Sequence, residues 1–172
     1  MDTVDALSEA RYLLLRSYRR DGTAVDTPIW FCLDGSSLVF RTKIGPKTRR
    51  LLARPDVELT ACDHRGRVLE GSPTMRGRAT LLSGDDAESA NSALRRRYGW
   101  QWNTVPMLKV PGVTNVHRNL SLREKLRRIR SRTLWPDSAI VRVDVSVIRP
   151  INRPGSRGPT APSGRPSMPR TG

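Results

Sequence analysis

Two Asp-Gly pairs near the start of the chain constrain its fold more than any other feature. Asp21-Gly22 and Asp34-Gly35 separate short apolar runs, which cover residues 12–15, 24–33 and 38–40. Gly accepts the positive φ of a tight hairpin turn because it has no Cβ to clash with the backbone. The pattern therefore predicts three antiparallel strands within the first 42 residues. Pro28 cannot donate to a strand ladder, so it predicts an edge or a bulge in the second of them.

Two helices and three further strands follow in the predicted order. A short helix begins at Pro46, where a missing N–H costs nothing, and stops before Pro55. A longer helix is capped by Asp85 or Asp86 and runs to about Tyr98. The remaining strands are predicted at residues 57–62, 75–82 and 138–148. Helices inserted into an antiparallel sheet argue against a parallel α/β fold, so we expect a mainly β, six-stranded antiparallel fold with two or three peripheral helices.

Most of the net charge of +15 lies outside this predicted sheet. Residues 118–132 contain seven basic residues against Glu124, and the tail beyond residue 152 adds four Arg and no acid, together ten of the net fifteen charges. We expect residues 101–136 to be an insertion that begins with a long loop. The tail, residues 151–172, is rich in Pro, Gly and Arg and has too little apolar area to fold, which predicts disorder.

A basic helix is predicted within the insertion, at residues 121–133. Ser121 and Glu124 have the spacing of a capping box, and Leu122, Leu126 and Ile129 share one face. The interpretation we favour packs this apolar face on the sheet. One alternative is a rim whose positive field attracts an anionic ligand, and another is contact of the Arg-rich face with a membrane surface or nucleic acid.

No metal site or transport signal is expected. Cys32 and Cys62 are too few for a zinc cage and are interpreted as buried thiols, while His64 and His117 lack companions at ligand spacing. No apolar run approaches the roughly 18 residues that span a bilayer, and the first residues are acidic. We therefore expect a cytoplasmic protein.

The segment from Phe40 to Arg50 is the best candidate for a ligand site. A strand ends there, a Gly turn follows, and a helix N-terminus presents free N–H groups and a positive dipole end to an anion. Lys47 and Arg50 are three residues apart and share one side of the first helical turn. This pattern is typical of a phosphate site, although a solvated basic helix face would look the same in sequence. It is not a Walker motif, because the closing Gly-Lys-Ser/Thr is missing.

A resemblance extends this reading over residues 8 to about 100. Short motifs occur in a characteristic order: Tyr12-Leu-Leu-Leu, Asp21-Gly22-Thr23, Thr27-Pro28-Ile29-Trp30-Phe31, Arg41-Thr42, Lys47-x-x-Arg50, Asp56-Val57, Cys62-Asp63 and Tyr98-Gly99. In this order the chain resembles the pyridoxamine 5'-phosphate oxidase superfamily, and most closely its actinobacterial branch that uses the deazaflavin coenzyme F420. The resemblance implies that residues 8–150 form a split β-barrel that binds a flavin or deazaflavin.

The resemblance also implies a homodimer with the cofactor in a groove at the subunit interface. Thr27, Pro28 and Ile29 would pass beside the ring system. The phosphate-bearing tail would be held by Arg41, Thr42, Lys47 and Arg50, with Arg49 as a weaker candidate. No catalytic acid–base pair is evident, and Tyr98 is more often a packing residue than a proton donor at such a position.

The activity implied is hydride transfer from reduced F420 to an unsaturated small molecule. An FMN-dependent oxidoreductase, a cofactor carrier and a nucleic-acid-contacting protein are the alternatives. Oxidation of pyridoxamine phosphate itself is disfavoured, because the Arg-x-His of that enzyme is missing near the C-terminus.

Overall fold

The computed structural model describes residue 7, residues 10–104 and residues 120–146. The strands are β1 Tyr12–Tyr18, β2 Ala24–Ile29, β3 Cys32–Asp34, β4 Ser37–Lys43, β5 Asp56–Cys62, β6 Thr74–Leu82 and β7 Ser138–Ser146. The helices are α1 Pro46–Ala53, α2 Gly84–Tyr98, α3 Gln101–Thr104 and α4 Leu122–Arg130. The predictions for His117, for the tail and for the last residues of the final strand fall outside the described residues.

The seven strands form one antiparallel sheet in the order β2-β1-β5-β6-β7-β4-β3. This confirms the predicted mainly antiparallel β class and places Pro28 on an edge strand, as its missing N–H requires. Helix α1 packs against β1, β4 and β6, which are not neighbours in the sheet. The sheet is therefore strongly curled, and α1 covers one of its ends.

Two apolar clusters lie on opposite faces of the sheet. The larger fills the inside of the curl and contains Leu13, Leu15, Phe31, Leu38, Phe40, Leu59 and Val143, among others. The smaller lies on the outer face under α2 and contains Val39, Leu94, Tyr98, Trp102 and Ile140. Neighbouring residues of one strand, such as Val39 and Phe40, contribute to different clusters because successive side chains of a strand point to opposite faces.

The sequence interpretation of residues 24–33 as one strand is wrong. The ladder changes partner at Trp30 and Phe31, so that β2 pairs with β1 whereas β3 pairs with β4. At the break, the Phe31 N–H donates to the Tyr98 hydroxyl at 2.9 Å, and that hydroxyl donates to the Phe31 carbonyl at 2.6 Å. A side chain of α2 thus replaces the strand partner of this residue, and the sheet has seven strands instead of six.

Tyr98→Phe tests this role of the hydroxyl. We expect the variant to lose about 1–3 kcal/mol of unfolding free energy, because two buried backbone groups of Phe31 would lose their partner. Tyr12→Phe is the matched control, since no hydrogen bond of the Tyr12 hydroxyl is found within the described residues, and its loss should stay within about 0.5 kcal/mol. Urea denaturation measures both, and equal losses would contradict the assignment.

Two details of the helices differ from their predictions. The N-cap residue of α2 is Ser83, whose side chain makes no capping hydrogen bond. The predicted caps Asp85 and Asp86 lie in the first turn, where their negative charges interact favourably with the positive end of the helix dipole. The short helix α3 occupies part of the predicted long loop. The guanidinium of Arg41, in β4, donates to the Trp102 carbonyl at 2.8 Å and so anchors the backbone of α3 to the sheet.

Helix α4 confirms the predicted cap but not the predicted packing. The Ser121 hydroxyl accepts a hydrogen bond from the Glu124 N–H at 3.2 Å. Leu122 and Leu126, however, are 78% and 53% exposed, so the predicted packing on the sheet is wrong for these two leucines, whereas Ile129 on the same face is partly buried. The helix is attached through Arg128, which forms an ion pair with Asp137 at 2.8 Å.

The two thiols are in different environments. Cys62 is buried, as predicted, and burial raises its pKa to about 11. Cys32 is only half-buried, because it belongs to the short edge strand β3. Within the described part of the chain, no helix combines the length and apolar character needed to cross a bilayer.

Candidate functional site

The turn that precedes α1 is rigidly bonded. The Thr48 hydroxyl, which is buried, accepts from the Gly45 N–H at 3.0 Å and donates to the Gly45 carbonyl at 2.9 Å. The Ile44 N–H donates to the Asp137 carbonyl at 2.8 Å and ties the turn to the segment before β7. The N–H groups of the first helical turn, including that of Lys47, therefore face outward without an intrahelical acceptor, at the positive end of the helix dipole.

Space for a ligand lies beside this turn. A Cβ added to Gly45 would meet no atom within 4 Å. The φ of Gly45 is 164°, which is extended backbone, so the turn does not require Gly for conformational reasons. An anionic group can therefore approach the turn. A larger residue than Gly45 would also fit there, so the structure does not support the prediction that the turn needs Gly for a ligand to come close.

Lys47 is a partly buried cation without a counter-charge. Its ammonium has no hydrogen-bond or ion-pair partner among the described residues. Burial, followed by repulsion from Arg50, lowers the pKa of Lys47 to about 8. Both costs would be offset by a bound anion, which makes Lys47 the residue best suited to one.

Arg50 is positioned by strand β1. Its Nε donates to the Ser17 hydroxyl at 3.2 Å, and buried Ser17 donates to the Val25 carbonyl at 3.3 Å. Burial and the nearby Arg19 guanidinium lower the pKa of Arg50. Its two terminal nitrogens have no partner in the part of the chain that the structure describes, so they remain available for a bidentate contact with an oxyanion.

Arginines from a distant hairpin join Arg50, whereas Lys47 does not line the groove that they form. A groove of about 560 Å³ is lined by Arg19, Arg20, Pro46, Arg49, Arg50 and Ala53, with no acidic residue among them. Arg19 and Arg20 lie at the β1–β2 turn, about thirty residues before α1, and the sequence interpretation assigned them only to a hairpin end. In the sequence, the pair Arg19-Arg20 before Asp21-Gly22 indicates a local positive charge. Only the fold shows that this pair lies beside α1.

The predicted ring-contacting residues lie on different faces of β2. Thr27 pairs with Leu15 and Val25 pairs with Ser17, so Thr27 lies on the sheet face that Arg50 reaches. Ile29 follows on the same face and is buried in the core. Pro28 points to the other face, where its ring borders Gly66: a Cβ there would lie 3.6 Å from Pro28 Cδ. The structure thus places Thr27, but not Pro28, on the sheet face that Arg50 reaches.

Arg41 and Thr42 also separate, because they are neighbours in β4. Thr42 shares the face of Phe40, whereas Arg41 lies on the outer face. The Arg41 guanidinium lies between two indoles, 4.1 Å from the Trp102 ring centre and 4.3 Å from that of Trp135. Burial lowers its pKa to about 9, so it stays charged at neutral pH. Arg41 is therefore engaged within the chain, on a different face from the groove.

The pKa of Lys47 predicts a pH dependence for anion binding. Only protonated Lys47 attracts an anion, so affinity should be constant well below pH 8 and should fall as the pH rises through about 8. Sulfate, whose charge is constant over this range, is a suitable probe for calorimetric titration. Lys47→Arg should move the fall to much higher pH, because Arg keeps its proton. An unchanged profile in Lys47→Arg would show that another group is responsible.

Comparison with known protein families identifies the family of this chain. Residues 2–120 match the sequence model of a family described as pyridoxamine 5'-phosphate oxidase. The chain belongs to the pyridoxamine 5'-phosphate oxidase family. This membership confirms the resemblance noted in the sequence, and the β1–β6 sheet, α1 and α2 all lie within the matched residues. A comparison with curated proteins gives no match.

Solved structures share the family fold at low sequence identity. The heme storage protein HutZ of Vibrio cholerae is 12% identical, with 84% of this chain and 87% of that chain covered and a TM-score of 0.55. A conserved hypothetical protein of Mycobacterium tuberculosis is 15% identical over 83% and 79%, with a TM-score of 0.52. An FAD-binding protein of Mesorhizobium loti is 16% identical over 84% and 88%, with a TM-score of 0.51. At such identities the likeness establishes the split-barrel fold alone.

Proposed function

We propose that this family member is an F420-dependent oxidoreductase of the cytoplasm that acts on an unsaturated small molecule. Lys47 and Arg50 hold the phosphate of the cofactor tail, Arg49 assists them, and Thr27 lies beside the ring. The bound cofactor supplies the hydride. The residues of the chain bind the tail, orient the ring and limit the access of water to it.

The observation that carries this proposal is a pair of cations at the start of α1 that has no acidic partner among the described residues. Lys47 is partly buried with its pKa lowered, and the terminal nitrogens of Arg50 are available beside it. A solvated helix face would show neither burial nor depressed pKa values. The residues present therefore fit a phosphate group, which F420 and FMN both carry.

The neighbouring arginines favour F420 over FMN. Arg19, Arg20 and Arg49 extend the positive groove beyond what a single phosphate needs. A tail with several negative charges would use the whole groove, whereas FMN would contact only the part near α1. FMN is the second candidate, because the site at Lys47 and Arg50 suits its phosphate equally well.

The proposal includes a homodimer. The groove is open to solvent, and a second copy of the chain over it would shield the ring. Light scattering of the purified protein, with and without cofactor, measures the mass in solution. A monomer under both conditions would remove the subunit interface from the proposal.

The decisive experiment is titration of the purified protein with each cofactor. We expect tight binding of F420, seen as a change in its fluorescence, and weaker binding of FMN. Tighter binding of FMN would select the second candidate. Binding of neither cofactor would overturn the assignment of the groove as a flavin or deazaflavin site.

A further inference from the structure

Helix α4 exposes its apolar side. At 100° per residue, Leu122 and Leu126 lie on one side of the helix, and Glu124 and Arg128 lie on the opposite side. The two leucines are 78% and 53% exposed, whereas the Arg128 side chain is only 11% exposed. An amphipathic helix normally buries its whole apolar side, but in α4 only Ile129 of that side is partly buried, and the two leucines stay exposed.

Polar contacts hold the helix in this orientation. Arg128 donates to Glu124 at 2.9 Å and to Asp137 at 2.8 Å, and its guanidinium lies 5.2 Å from the Trp135 ring centre. The side-chain amide of Asn103 donates to the carbonyls of Ile129 and Ser131 at 3.3 and 2.9 Å. These contacts fix which side of α4 faces the domain, so the exposure of the leucines is built into the fold.

The exposed side is also strongly basic. Arg123 and Arg130 are exposed next to the leucines. Glu124, on the opposite side, forms ion pairs with Arg127 and Arg128. Arg95, in the last turn of α2, donates to the Arg132 carbonyl at 3.1 Å and adds a further cation near the end of α4. The surface therefore combines two exposed leucines with a net positive charge.

We propose that this face of α4 binds the surface of an anionic phospholipid bilayer. Basic amphipathic helices lie in the membrane interface, with apolar side chains among the acyl chains and cations near the phosphates. Nucleic acid would satisfy the arginines, but its phosphate backbone offers nothing to Leu122 and Leu126. A second copy of the chain would bring two equally basic faces together, within a chain of net charge +15.

Vesicle flotation of the full chain tests this proposal. Wild-type protein should float with vesicles of phosphatidylglycerol and phosphatidylcholine, and less with phosphatidylcholine alone. Leu122→Ser with Leu126→Ser should weaken binding by about tenfold or more, because the apolar part of the contact is lost at constant charge. The matched control is Val68→Ser with Leu69→Ser, which removes two other exposed apolar side chains, 53% and 46% exposed, and should bind as wild type.

Other outcomes would overturn the proposal. Equal vesicle binding by both double variants would mean that net charge alone attracts the protein. A lower thermal unfolding temperature of the leucine variant would place these side chains in contact with the rest of the chain. A lower mass of that variant in light scattering would place them between two copies. Binding of wild type to duplex DNA with no binding to vesicles would assign the arginines to nucleic acid.

Discussion

Replacing Lys47 and Arg50 together with Ala is expected to weaken F420 binding roughly a thousandfold, about 4 kcal/mol for two charge-assisted contacts. Lys47 has no other partner among the described residues, so its contribution should go to the ligand. The Arg50 Nε also donates to the Ser17 hydroxyl at 3.2 Å, so the Arg50 substitution is expected to lower the free energy of unfolding as well. Isothermal titration with F420 measures the affinity, and urea denaturation of the same samples measures that stability.

Arg123→Ala with Lys125→Ala is the matched control. It also removes two positive charges, but from α4, which does not line the groove. We expect it to retain F420 affinity within a few-fold, since a long-range field contributes little once salt screens it. If both double variants weakened binding equally, the groove at α1 would not be the site, and a general field of the basic chain would explain the affinity.

Gly77→Val is expected to cost about 3 kcal/mol of unfolding free energy, or enough to prevent folding. A Cβ at Gly77 would lie 2.5 Å from Val143 Cγ1 and 2.9 Å from the Asp144 carbonyl oxygen. The Val143 side chain could turn away, but the Asp144 oxygen is backbone of β7. Relief would therefore require strands β6 and β7 to separate where they are paired.

Arg78→Val is the control, because it introduces the same side chain one residue further along β6. Arg78 is exposed, and its ion pair with Asp56 at 3.5 Å is also exposed, so its loss should matter little. We expect its stability within about 0.5 kcal/mol of wild type. Urea denaturation compares the two variants, and a Gly77→Val protein as stable as Arg78→Val would show that the β6–β7 contact adapts without strain.

Features that are set by neighbouring residues of the sequence were predictable. The Asp-Gly turns, the alternating strands, the helix that starts at Pro46 and the cap at Ser121 all depend on residues a few positions apart. The pairing of Lys47 and Arg50 on one side of α1 follows in the same way from helical spacing. Family membership was also predictable, because the order of the short motifs along the chain carries it.

Features that depend on distant residues were not predictable. The break at Phe31 needs the Tyr98 hydroxyl, 67 residues away. Arg41 resembled a phosphate ligand in sequence, but Trp102 and Trp135 enclose it in the fold. The separation of Arg41 from Thr42 is the exception, because strand alternation alone predicts that neighbouring residues of β4 lie on opposite faces.

From the sequence alone, local backbone geometry predicts most of the strands and helices, and which side chains share a face of each element. It does not predict the break between β2 and β3 or the short helix α3. Only the tertiary structure decided which face each element turns inward. In α4 a few polar contacts of Arg128 and Asn103 outweigh the apolar side of the helix, so the leucines face outward. Likewise, only the curl of the sheet brings Arg19 and Arg20 to α1, since the groove is made of segments that are far apart along the chain.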